Sequence, residues 1–221
     1  MRILFVCTGN TCRSPIAEAL LERMSKVRGI NVEGRSAGIS AMDGMAASPE
    51  ALHVLAEKEI KHNHASRRID EEQLQWADLI LTMTLHHKNY IIHQFPEHVE
   101  KVYTLKEYAG FHTEQEALYK KLDKLYVQLE EKRLSFESRY PQHKTKNWSE
   151  QQMEQIKYEW FEELKPLLQE EEKLKQKIEQ HGIQLDIQDP FGGSVEVYRQ
   201  SLIEIEEAIQ RILDQLEAKG E

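Results

Sequence analysis

No apolar stretch in this 221-residue chain approaches the roughly 20 residues that a membrane-spanning helix needs. The apolar start, Ile3 to Val6, is also too short for the core of a signal peptide and runs straight into a turn-forming segment. A soluble, cytoplasmic protein is the expectation. Cysteine is scarce: Cys7 and Cys12 are the two, five positions apart. They cannot staple distant parts of a fold, which excludes a disulfide framework and leaves reactive thiol chemistry in a reducing compartment. Basic arms and stripes are missing as well, and the formal charge is −9. The chain therefore lacks the excess of Lys and Arg from which nucleic-acid affinity comes.

What is present reads first as alternating strands and helices. Arg2 to Cys7 (RILFVC) is a short, nearly unbroken apolar run, the pattern of a strand buried on both faces. The turn residues TGNTCRSP follow, with Pro15 at a plausible first helical position, and then Ile16, Ala19, Leu20, Arg23 and Met24 at helical spacing. Asn31 to Ser36 is a second strand candidate, Pro49 to Glu59 a helix, Asp78 to Met83 a third strand and Lys101 to Leu105 a fourth. This order predicts the α/β class, a central parallel sheet with helices on both faces.

Near Gly110 the composition changes to Glu, Lys and Gln. Leu118, Leu122, Leu125 and Leu129 repeat at four-three-four spacing, a coiled-coil-like seam. After a turn from Tyr140-Pro141 through Asn147, with Ser149 as N-cap, a second stripe follows: Met153, Ile156, Trp160, Leu164, Leu167, Leu174 and Ile178. Pro166 should kink or restart that arm. The segment reads as an inserted antiparallel helical hairpin, residues 111–182, dividing one α/β domain into 1–110 and 183–221. Its leucine seam either pairs with the second stripe or serves a protein partner or self-association. The last helix, from Val195 to about Lys219 behind Ser194, carries an apolar face from Val197 to Leu216 for packing on the sheet.

Chemistry concentrates in Cys7-Thr8-Gly9-Asn10-Thr11-Cys12-Arg13-Ser14, between a buried strand and a helix. Backbone N–H groups of such a turn, with the unpaired N–H groups that open the helix, converge on an anion. Gly9 is the residue expected to supply positive φ and close backbone approach. Arg13 can grip two phosphoryl oxygens through its planar fork. Cys7 at the strand end faces the same electropositive bowl, surroundings that favour a nucleophilic thiolate.

These residues carry a resemblance. The start MRILFVCTGNTCRSPIAEALL, with Asp189-Pro190 late in the chain, resembles the low-molecular-weight protein tyrosine phosphatases, over about residues 1–110 and 183–218. The resemblance implies double displacement without metal or cofactor. Cys7 attacks phosphorus, Arg13 and the loop amides hold the equatorial oxygens, and Asp189 protonates the leaving group and then activates water. It also implies that Ser14 donates to the sulfur and that Asn10, Ser36 and His64 brace the loop. Cys12 resembles the partner of a reversible, peroxide-induced disulfide with Cys7; a small loop-filling residue is the plain alternative. His62-x-His64 and His86-His87 hint at metal, but as surface histidines without a Cys or carboxylate cluster they assign none.

Phosphorylated protein is the implied substrate. Thr11 stands where tyrosine phosphatases of the family carry an aliphatic residue, and CTGNTCRSP, RSAG, TLKEY and DPFGGS resemble the bacterial protein-arginine phosphatase branch. A polar Thr11 wall, with Phe191 as another, suits a guanidinium better than a ring. Protein phosphoarginine is the favoured substrate and phosphotyrosine the alternative. Arsenate reduction would need a further cysteine where the chain reads LTMTLHHK. A non-catalytic scaffold acting through the hairpin would not need Cys7, Arg13 and Asp189 together.

Overall fold

The structure is a computed structural model that describes residues 1–111, 116–140, 149–180 and 185–220. Four parallel strands form one sheet in the order β2-β1-β3-β4: β1 is Arg2–Cys7, β2 Glu33–Gly38, β3 Leu79–Thr82 and β4 Val102–Thr104. β1 is central, paired to β2 on one side and β3 on the other, which explains its unbroken apolar run from Ile3 to Cys7. The pleat then sorts its side chains. Ile3, Phe5 and Cys7 join the core beneath α1 (Arg13–Arg28) and α8 (Val195–Gly220), whereas Leu4 and Val6 join the core of the opposite face with Leu74 of α3 (Glu71–Trp76) and Ile91 of α4 (Leu85–Gln94). The chain leaves β1 for β2 on one side and returns to β3 on the other. The carboxyl end of β1 is thus a topological switch point, where open α/β sheets form their ligand crevices.

The remaining elements are α2 (Pro49–Glu57), a 3-10 turn at Pro96–Lys101, α5 (Leu105–Tyr108), α6 (Glu116–Arg139) and α7 (Glu150–Gln180). β1 spans the expected residues, whereas the bounds of β2, β3 and β4 differ from the sequence expectation by one to two residues, most at β2, which begins at Glu33 and extends to Gly38. Pro15 is the third residue of α1 rather than the first, still within the turn whose N–H groups have no intrahelical partner. No described helix is long and apolar enough to cross a membrane.

The helical arms α6 and α7 lie antiparallel, as their contacts show. The Phe136 and Trp160 rings pack at a tilt, Lys132 and Arg139 both pair with Glu163, and Tyr126 meets Glu171. Ser149 caps α7 reciprocally with Gln152, whereas the expected turn at 141–147 lies outside the described residues. Helix α7 runs through Pro166 without a break; contacts at Trp160 and Glu163 on one side and at Leu174 and Ile178 on the other hold it in register. Of the leucine seam, Leu122 and Leu125 are fully buried, but their partners include Ile92 of α4 as well as Leu174 and Ile178 of α7. Met153, expected on the inner stripe, is exposed.

At the base of these arms Lys88 of α4 is completely buried and donates to both Glu107 oxygens at 2.9 and 3.0 Å and to Asp123 Oδ2 at 2.8 Å. All three of its N–H bonds are thereby satisfied, the condition under which a buried ammonium is tolerable. Burial outweighs the attraction of Lys88 and pushes the Asp123 carboxyl up to about 6. A group that binds its proton more tightly in the folded state lowers stability as pH rises between its unfolded value, near 4, and about 6. The unfolding free energy of the wild type relative to Asp123→Asn should therefore decline as pH is raised from 4 to 7. Urea titrations at several pH values test this; a pH-independent difference would refute it.

Candidate active site

Residues 7–14 turn from the end of β1 into α1, and the turn is held by hydrogen bonds from three other segments. Ile39 N and Ser40 N donate to the Cys7 and Thr8 carbonyls at 3.0 and 2.9 Å, and Ser48 N donates to the Thr11 carbonyl at 2.8 Å. Cys12, at the N-cap of α1, makes no side-chain cap, so the first amides of the helix stay available to an anion. The left-handed residue of the turn is Asn10, φ 54°, and not Gly9, whose backbone does not demand glycine. What Gly9 contributes is openness, since it lines the cavity. The glycine that is required sterically is Gly38 of β2: a Cβ there would lie 2.5 Å from the Thr8 carbonyl oxygen and 2.8 Å from Asn10 N.

Asn10 is fully buried and its amide group is saturated. Its Oδ1 accepts from Arg67 N at 2.8 Å, and its Nδ2 donates to Ser14 Oγ and to Ser36 Oγ, each at 2.9 Å. Ser36 in turn donates to Glu18 Oε2, and His64 Nε2 meets the Asn10 carbonyl at 2.6 Å. The protons of this network are ordered. Glu18, an acceptor, draws the Ser36 hydrogen, so Ser36 accepts from Asn10; Ser14 also accepts from Asn10, which frees its own hydrogen for Cys7 Sγ at 3.0 Å. The rival acceptor, the Ala37 carbonyl, is farther at 3.4 Å. Burial lowers the His64 value, so the ring is neutral and its one N–H goes to the Asn10 carbonyl.

Arg13 is buried beneath the turn, donating to the Ile187 carbonyl at 3.1 Å and pairing with Asp189 Oδ2 at 2.9 Å. Its Nε has no hydrogen-bond partner among the described residues. Asp189 sits at the mouth with a side chain 55% exposed, beside Phe191, also exposed. Asp186, the rival carboxylate, is turned elsewhere: its Oδ1 accepts from Leu85 N at the start of α4, 2.7 Å. Cys7, Thr8, Gly9, Thr11, Cys12, Arg13, Asp189 and Phe191 together line a cavity of about 220 Å³. Both cysteines are free, and Cys12 Sγ lies 3.2 Å from the hydroxyl of buried Tyr198.

A thiol, a buried guanidinium with an unpartnered N–H, a ring of amides and a carboxyl group at the mouth form a site for attack on a phosphoryl group. The sequence profile of the low molecular weight phosphotyrosine protein phosphatases matches residues 2–119. The chain belongs to that family. Among phosphatases of the family, the protein-arginine-phosphatase of Bacillus subtilis (strain 168) is 33% identical over 216 residues, 98% of this chain and 97% of that protein. The low molecular weight protein-tyrosine-phosphatase PtpB of Staphylococcus haemolyticus is 43% identical over 110 residues, half of this chain and 75% of that protein. The solved structure of the YwlE arginine phosphatase of Geobacillus stearothermophilus superimposes with a TM-score of 0.62 at 32% identity, covering 99% of this chain and 94% of that one. Family membership makes the chain a cysteine-dependent phosphatase working through a phosphocysteine.

Two histidine readings change against the structure. His86 is exposed as expected, but His87 is buried, with Nε2 2.8 Å from Thr8 Oγ1 and Nδ1 2.7 Å from Thr84 Oγ1. Sequence pattern gave no signal for it, because its place beneath the turn depends on the chain direction after β3. His62 and His64 do acquire a carboxylate neighbour, Glu18. However, His64 Nδ1 and Glu18 Oε2 are 4.0 Å apart, wider than the about 3.3 Å between two ligands of one tetrahedral zinc. Both residues are instead engaged in bracing the turn.

Because Asn10 combines a left-handed backbone with three side-chain hydrogen bonds, its two costs can be separated. Asn10→Gly removes the bonds and frees the unfolded chain by about 0.5–1 kcal/mol, whereas Asn10→Ala removes the bonds and adds about 1–2 kcal/mol of backbone strain. Denaturant unfolding should rank wild type above Gly and Gly above Ala; equal stability of the two variants would contradict the strain argument.

Proposed function

We propose that this chain dephosphorylates protein phosphoarginine in the cytoplasm, with Cys7 as nucleophile, Arg13 as phosphate clamp and Asp189 as general acid and base. The observation that carries the reading is the polar residue Thr11 in the wall of the cavity that Cys7 and Asp189 also line, in a chain similar along its length to a protein-arginine-phosphatase. A guanidinium keeps its N–H groups hydrated unless the pocket offers acceptors, and Thr11 Oγ1 and Asp189 supply them. Phe191 adds an apolar edge suited to the planar group.

In the first step the Cys7 thiolate forms an S–P bond as the P–N bond breaks, and Asp189 gives its proton to the departing guanidino nitrogen. Arg13 and the amides of Thr8 to Arg13 hold the equatorial oxygens, while Ser14 stabilises the sulfur as thiolate and as leaving group. In the second step Asp189 takes a proton from water as the water oxygen attacks phosphorus, and inorganic phosphate departs with return of the thiolate. Asn10, Ser36 and His64 act through the turn. Residues 1–110 and 183–221 form the catalytic domain in this reading, and 111–182 an insertion. The burial of Leu122 and Leu125 against α4 and α7 supports internal packing of its seam over self-association. Phosphotyrosine is the second reading, supported by the aromatic edge of Phe191 and by the similarity to PtpB.

Initial rates on phosphoarginine and phosphotyrosine peptides, with Cys7→Ser as blank, decide between them. Phosphoarginine should be preferred, and Thr11→Ile should erode that preference by about 10-fold or more. Preference for phosphotyrosine would move the protein to the second reading. Asp189→Asn should lower kcat by about 10²–10⁴-fold. Peroxide should abolish activity and dithiothreitol should restore it in wild type but not in Cys12→Ala; equal recovery by both would remove Cys12 from any protective role.

A further inference from the structure

We propose that His87 orients the hydroxyl of Thr8 as a hydrogen-bond donor into the phosphate cradle, so that the Thr8–His87–Thr84 chain positions an additional side-chain donor beside the nucleophile. The inference rests on the reading of Cys7 and its loop as the phosphate site. It adds to that reading a residue, His87, that lies outside the loop.

The hydrogen-bond partners favour one direction for this chain. His87 is buried, and burial followed by the charge of Arg13 lowers its value to about 3, so the imidazole is neutral and carries a single N–H. Thr84 caps α4, and its Oγ1 already accepts from the backbone N–H of His87 at 3.3 Å. The hydroxyl hydrogen of Thr84 then has one acceptor among the described residues, His87 Nδ1 at 2.7 Å. With Nδ1 as acceptor, the ring proton resides on Nε2 and is donated to Thr8 Oγ1 at 2.8 Å. Thr8 therefore receives a hydrogen bond through its oxygen and keeps its own hydrogen uncommitted. Thr8 is exposed and lines the same cavity as Cys7 and Arg13. An O–H held this way by a neutral, buried ring is a preorganised donor for a phosphoryl oxygen, with little reorganisation needed when charge develops.

The opposite tautomer makes the opposite prediction. A proton on Nδ1 would oblige Thr8 to donate to Nε2, leaving oxygen lone pairs toward the phosphate, and deletion of the hydroxyl would then leave phosphate affinity unchanged or raise it.

The test uses the full chain with para-nitrophenyl phosphate as substrate and inorganic phosphate and orthovanadate as competitive inhibitors, Cys7→Ser being the blank. Thr8→Val should lower kcat/KM by about 10- to 100-fold and weaken both inhibitors, whereas Thr8→Ser retains most of each. His87→Leu should reproduce the Thr8→Val losses. His87→Gln, which places an amide N–H near the position of Nε2, should recover them, and His87→Asn should not. The double variant Thr8→Val/His87→Leu should be no worse than either single one, since both remove one donor. Should His87→Leu not fold, ring ¹H–¹⁵N correlation spectra of the wild type still read the tautomer: an Nε2-bound proton supports the inference and an Nδ1-bound proton overturns it. Thr8→Val activity and inhibition equal to wild type, or additive losses in the double variant, overturn it as well. Absence of any Cys7-dependent turnover in the wild type would overturn the phosphate-site reading and this inference together; turnover that ignores Thr8 would overturn this inference alone.

Discussion

The buried side-chain amide of Asn10 joins segments that are far apart in the chain: the turn itself, the end of β2 through Ser36, and the strand-like stretch at Arg67. A left-handed backbone at this position bends the chain so that amide groups converge on one point. Such a convergence is electrostatically unfavourable without an anion, because like ends of dipoles face one another. The fold tolerates it by over-determining the turn. Backbone bonds from Ile39, Ser40 and Ser48, the His64 ring on the Asn10 carbonyl, and the close approach at Gly38 all restrain the same eight residues. The parallel sheet supplies the platform on which these restraints meet, since β1 and β2 end side by side at Cys7 and Gly38.

Helix α4 links the turn to the helical arms. Leu85 N binds Asp186, which lies just ahead of the segment carrying Asp189; His87 reaches Thr8; Lys88 holds Glu107 and Asp123; and Asn89 donates to the Tyr126 hydroxyl at 2.9 Å. Four of its first five residues therefore serve other elements. Its polar composition follows from those bonds and does not mark a solvent-facing helix.

The parallel architecture and the position of the reactive turn were legible in the sequence because a both-faces-buried strand, a turn and a helix start follow one another within twenty residues. The hairpin was legible through its two apolar stripes. Other features were not. Which residue of the turn takes positive φ depends on side-chain hydrogen bonds, so Asn10, able to use its amide, holds a place that composition assigns to Gly9. The burial of His87 and Lys88 was hidden because both read as polar in isolation, and their partners Thr8, Glu107 and Asp123 lie 19 to 79 positions away. The Arg13–Asp189 pair spans most of the chain and requires the loop at Ile187 to dock on Met83.

The burial of Lys88 has a consequence for the helical arms as a unit of engineering. A cut that deletes the arms between residues 111 and 185 would take Asp123 from the ammonium, Tyr126 from Asn89, and Leu122, Leu125, Leu174 and Ile178 from the apolar surface of Ile92. One charge, one amide and one hydrophobic patch on α4 would be left facing water beside the helix turn that carries His87. The arms are consequently not a detachable accessory, and a compact version of this enzyme would need compensating changes at positions 88, 89 and 92.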